Sequence, residues 1–83
     1  PELTEDRRKE FVKLLGVKIE NGKIAIRQVR HDVMADVKKD FESKAIGEDE
    51  KFRIEKDAQK ITDDAIAEID AIAKAKEEEL MKV

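Results

Sequence analysis

The feature that most constrains this chain is a run of apolar residues at alternating intervals of three and four. Val12, Leu15, Ile19, Gly22, Ile26, Val29 and Val33 keep that spacing, and Val37 and Phe41 extend it at a period closer to 3.6. Residues three and four apart share one face of an α-helix, so the run predicts a single long helix carrying a seam of coiled-coil type. Thr4 precedes it as a candidate cap, and Glu5 and Asp6 sit where the helix dipole favours negative charge. With Leu3-Thr4-Glu5-Asp6 as its start, the helix is expected from about residue 5 to about residue 43, and a rise of 1.5 Å per residue makes it roughly 60 Å long.

Ser43-Lys44-Ala45-Ile46-Gly47 interrupts the pattern and reads as a short turn over about residues 44–47. Glu48-Asp49-Glu50 then loads a second helix start with carboxylates. That helix is expected from about 48 to about 82, with Ile54, Ala58, Ile61, Ala65, Ile69, Ile72, Leu80 and Val83 as its stripe and Ile66 and Ala73 widening it. A short connection between two matching stripes predicts an all-α fold, a long antiparallel helical hairpin. Phe11, Leu14, Ala25, Ile66 and Ala73 broaden the apolar faces beyond what two helices can cover. At least one missing helix is therefore expected over residues 1–83, from a further part of the same chain or from a second copy. The start at Pro1 without an initiator methionine agrees with a fragment.

Two glycines lie inside the first helix, each unfavourable there by about 1 kcal/mol relative to alanine. Gly16 reads as a tolerated surface position; Gly22, on the seam, reads either that way or as a point of close approach by another helix.

Composition excludes several function classes. With 83 residues the chain is at most one small domain, too short for a deep catalytic cleft. It has no cysteine and one histidine, so disulfides, thiolate chemistry and multi-histidine metal sites are absent, and no cofactor is expected. A reducing cytoplasm fits this usage. No apolar run approaches the roughly 18 residues of a membrane span, so no membrane association is expected. Asp63/Asp64 and Glu77/Glu78/Glu79 have no accompanying nucleophile, histidine or glycine-rich loop; they read as a solvated helix face, and the chain as no enzyme.

The formal net charge of −3 conceals an asymmetry. Residues 1–44 carry 11 Lys/Arg against 9 Asp/Glu, and residues 45–83 carry 7 against 12. At about 100° per residue, Lys9, Lys23, Arg27, Arg30 and Lys38 share an arc of roughly 80° beside the seam, with Lys13 and His31 just past its edge. Such a stripe reads either as ordinary solvation or as a phosphate-docking edge. Composition alone points to solvation, and arginine at two of these positions tilts the balance toward the second, because guanidinium binds phosphate through two parallel hydrogen bonds. His31 reads as a polar flank next to arginine.

Leu3-Thr4-Glu5-Asp6-Arg7-Arg8-Lys9, followed by Ala25-Ile26-Arg27-Gln28-Val29-Arg30-His31-Asp32, resembles the ribosome recycling factor family. That family's pattern runs near L-T-E-E-R-R-K and then V-A-V-R-N-[VI]-R-R-D. Gly47-Glu48-Asp49-Glu50, the block Glu55 to Asp63 and the closing Lys76-Glu77-Glu78-Glu79-Leu80-Met81 resemble its later part, so the likeness covers nearly the whole chain. It implies a three-helix bundle interrupted after its first helix by a β-rich insert, with the first helix and the insert absent here. It also implies a translation factor that binds the post-termination ribosome and helps separate the subunits with elongation factor G. The bundle's tip and arginine-bearing side would rest on large-subunit ribosomal RNA. Carried over by position, the RNA-facing candidates are Arg27 and Arg30, then Arg7 and Arg8, with Lys23 and His31 beside them. Gln28 and His31 depart from the asparagine and arginine usual in the family. The other reading is a coiled-coil or oligomerisation hairpin that binds helices and no RNA.

Overall fold

The structure, a computed structural model, describes residues 4–82. Leu3, in the helix-start motif, and Val83, last of the second stripe, lie outside the described residues. Two helices, α1 (Glu5–Glu42) and α2 (Glu48–Met81), lie side by side in a rod 63 × 15 × 12 Å. Cross-links between them join Arg30 to Gln59 and Lys23 to Asp70, so position falls along α1 as it rises along α2. The hairpin is antiparallel and all-α.

Local chemistry sets the ends. The Thr4 hydroxyl accepts from the Arg7 amide at 3.2 Å, closing one of the free N–H groups of the first turn. At the other end of α1 the Ala45 amide donates to the Asp40 carbonyl at 2.8 Å and the Lys44 amide to Phe41 at 3.0 Å. That pair of bonds is a Schellman motif, which requires a left-handed residue and usually takes glycine there. Here it is Lys44, with φ of 66°. Gly47 precedes α2 without a side-chain cap, and Glu48, Asp49 and Glu50 supply the negative charge instead. Across the turn the Lys51 ammonium lies 5.0 Å from the centre of the Phe41 ring, a cation–π contact between the two helices.

The seam departs from the sequence argument at its middle. Val29 and Ile61 were expected to pack inward, yet they are 62% and 68% exposed. Arg30 and Thr62 take the inward positions instead. The path Ile26, Arg30, Val33, Val37 is also a three-four series, and Val29 and Arg30 point about 100° apart, so only one can face α2. Thr62 is 6% exposed, and its hydroxyl donates to the Ala58 carbonyl at 2.8 Å, which removes the penalty of burying it. Val37, 5% exposed, is the buried apolar residue among those described. Ile72 likewise turns outward.

Displaced from the seam, Val29 and Ile61 line an open apolar groove of about 480 Å³ together with Ile26, Val33, Ile54 and Ala65. Gly22 meets no close approach: a Cβ built on it would have nothing within 4 Å. The glycine therefore creates no tight helix crossing with α2.

Val37→Ala should destabilise the hairpin by about 2 kcal/mol through lost burial and the void left behind. Val29→Ala should change stability by no more than about 0.5 kcal/mol. Urea unfolding followed by circular dichroism separates the two; equal losses would return Val29 to the seam. In the same assay Lys44→Gly should stabilise by roughly 1 kcal/mol, by relieving the left-handed backbone of a side-chain-bearing residue.

Candidate nucleic-acid interface

The basic residues of α1 fall into two groups along the rod. Arg7 and Arg8 lie in its first turn, about 30 Å from Arg27 at 1.5 Å per residue. Arg7 is held by Glu10 at 3.7 Å and stands 5.7 Å over the Phe11 ring. Arg8 is half-buried at the start of the seam. Lys9 pairs with Glu5 at 3.4 Å.

The second group is central. Lys23 forms an ion pair with Asp70 across the hairpin and is 18% exposed, so its ammonium ties the helices together. Arg27 reaches back two turns toward Glu20 at 3.9 Å, with both side chains largely in solvent. Exposed pairs of this kind contribute about 0–1 kcal/mol, so a phosphate can take the carboxylate's place with little loss. His31 is exposed. Gln28, one turn before Asp32, donates to its carboxylate at 3.0 Å. Lys38 borders a notch at the turn end formed by Met34, Phe41 and Lys51.

Arg30 differs from all of these. It stands in the seam, half-buried, and its Nη1 donates to Gln59 Oε1 on α2 at 3.2 Å. Among the described residues no carboxylate lies within ion-pair distance of it, so its hydrogen-bond partner is neutral and its full positive charge remains. Gln59 in turn donates through Nε2 to Asp63 Oδ1 at 2.9 Å. Taking about 100° per residue, Arg27, Lys38, Gln59 and Asp63 lie on one flank of the seam, while Val29 and Ile61 lie on the other. The hairpin thus has a polar flank with arginines and an apolar flank with the groove.

Arg27, Arg30 and the Lys23 anchor are brought together; Arg7 and Arg8 stand apart from them. Gln59 and Asp63 were missed in the sequence reading. Their signal was a glutamine four residues before an aspartate, on the side of α2 that meets the arginines. The outward face of α2 is self-paired: the hydrogen bond from Lys60 to Asp64 at 2.8 Å, with the carboxylate's charge, holds the lysine ammonium above its usual range. Among the described residues no three His, Asp or Glu side chains converge to hold a metal ion. No described helix is long and apolar enough to cross a membrane.

Comparison with known proteins places this geometry in context. The family profile described as ribosome recycling factor matches residues 1–81. A ribosome-recycling factor of Erythrobacter litoralis is 53% identical over 81 residues, covering 98% of this chain and 44% of that protein. Those of Streptococcus pyogenes serotype M28 and Enterococcus faecalis are 53% and 51% identical over 83 residues, covering all of this chain and 45% of each relative. The chain thus spans a little under half the length of these curated relatives. With a profile match along nearly its whole length and about half its residues identical to those of each relative, the chain belongs to the ribosome recycling factor family.

Proposed function

We propose that this chain docks on large-subunit ribosomal RNA through its arginine flank and serves the recycling of post-termination ribosomes together with elongation factor G. It acts as a rigid binding rod and carries out no chemistry of its own. The observation that carries this reading is Arg30: a guanidinium fixed across two helices, with a neutral partner and its charge uncompensated. Arg27 adds a second, loosely held guanidinium on the same flank. Guanidinium suits this use because its planar donors match phosphate oxygens and can also stack on bases. Arg7 and Arg8, about 30 Å away, form a separate basic group at the other end of the rod, while Lys23 braces the arginine flank and His31 borders it. Family membership supports the ribosome as the partner.

The groove supports a further part of the reading. Phe11, Leu15, Gly22, Val29 and Val33 follow one another at helical spacing on the apolar flank. They span about 33 Å at 1.5 Å per residue. A surface of that length and shape fits a third helix, supplied by further polypeptide or by a second copy.

Replacing Arg27 and Arg30 together by alanine should weaken binding to purified bacterial large ribosomal subunits. It should also reduce the slope of log affinity against log salt by about 2, one per lost phosphate contact, with helicity unchanged. Identical salt titrations for variant and parent would remove the RNA role and leave the helix-binding reading. For the groove, sedimentation at micromolar concentration should find this chain self-associated or incompletely helical by circular dichroism. A monodisperse, fully helical monomer would count against a third helix.

A further inference from the structure

We propose that Gln59 is the positioning residue for Arg30, a neutral tether that holds the guanidinium toward the arginine flank without cancelling its charge. The inference rests on the RNA-docking reading above and adds a residue to it from the opposite helix.

The argument starts from what each group can donate and accept. A guanidinium only donates and an ionised carboxylate only accepts, whereas a primary amide does both at opposite ends. Gln59 stands between Arg30 and Asp63, accepting from Arg30 Nη1 at 3.2 Å and donating to Asp63 Oδ1 at 2.9 Å. Only one orientation of the amide satisfies both neighbours. Asp63 therefore sets the orientation of Gln59, and Gln59 presents its carbonyl to Arg30. The carboxylate orders the chain of hydrogen bonds but stays one side chain removed from the guanidinium.

Direction matters as much as charge. Arg30 leaves α1 in the middle of the seam and also borders the apolar groove, where Asp57 offers a carboxylate on the other flank. A free arginine side chain there can swing either way. Gln59 lies on the flank that carries Arg27, so its carbonyl draws the Arg30 head group to that side. One of the five guanidinium N–H groups is used by this bond, which leaves the others for phosphate. A glutamate at this position would have nearly the same shape but would neutralise Arg30 directly. The amide is thus the feature the arrangement requires.

The test uses variants of nearly constant size. Gln59→Glu should lower affinity for purified large ribosomal subunits about tenfold, the scale of one charge-assisted contact, and reduce the salt slope by about 1, as Arg30→Ala does. In an Arg30→Ala background the same substitution should have no further effect. Ala75→Glu, which adds the same charge at an exposed position of α2 distant from Arg30, serves as the control and should leave the slope unchanged. A second readout needs no RNA: in Gln59→Leu the Arg30 Nε–H resonance should lose the order it has in the parent chain, while Val37 methyl shifts stay in place. If Arg30→Ala weakens binding but Gln59→Glu does not, or if the two effects simply add, Gln59 only packs and the proposal is overturned. If Arg30→Ala is itself silent, the docking reading falls and this inference falls with it.

Discussion

A guanidinium inside a helix–helix seam is the constraint on which the rest of this hairpin turns. An unpaired polar group shielded from water is unfavourable by roughly 1–3 kcal/mol, and more when charged, so Arg30 needs a partner on α2 at the right height. Gln59 meets that need, and the Lys23–Asp70 pair ties the two antiparallel helices together again about two turns further back along α1. Together they fix how the helices slide and rotate against each other. Thr62 completes the polar middle by bonding back to its own helix. Once these groups hold the seam, Val29 and Ile61 have only the flank left, and the groove follows from the register.

This explains which parts of the fold were readable in the sequence. The helix ends were, because their signals are local: Thr4 as acceptor, Glu5 and Asp6 or Glu48 to Glu50 at the dipole, and a pattern break after Phe41. The hairpin itself followed from two stripes and a short connection. What periodicity could not decide was whether Ile26 is followed on the seam by Val29 or Arg30, because a step of three and a step of four both belong to a helix face. Hydrophobicity alone favours valine. The structure chooses arginine because α2 offers an amide at that level, and no pattern within α1 carries that information. The Schellman turn shows the same limit: its left-handed position holds Lys44, a residue that gives no turn signal.

The geometry of the candidate site was legible to a similar depth. Arg27 and Arg30 stood out by residue type and by family resemblance, and the structure keeps them adjacent. Their inequality was not legible, since it lies in their partners: Arg27 leans on a distant carboxylate in solvent, while Arg30 is fixed by an amide. Lys23 looked equivalent to both on a helical wheel, yet its ammonium faces Asp70 and is mostly covered. Nor does the overall acidity decide the matter. Glu77 to Glu79 oppose the early turns of α1, about 24 Å from Arg30 along the rod. That is some three Debye lengths at physiological salt. Of the nearer acids, Glu20, Asp63 and Asp70 are engaged with Arg27, Gln59 and Lys23, and Asp57 borders the groove on the opposite flank.

Packing and charge presentation therefore become one problem in this chain. A rod with so few buried side chains gains stiffness only when its apolar flank is covered. Any helix laid against Val29 and Ile61 also closes the flank toward Asp57. With that side shut, the Arg30 head group has a single exit, past Gln59 and beside Arg27. The occupant of the groove would thus set the arginine's direction from behind while Gln59 holds it from the front. Under the docking proposal, a substitution that loosens groove packing would weaken RNA binding without touching a basic residue, because it reopens the second path for the guanidinium.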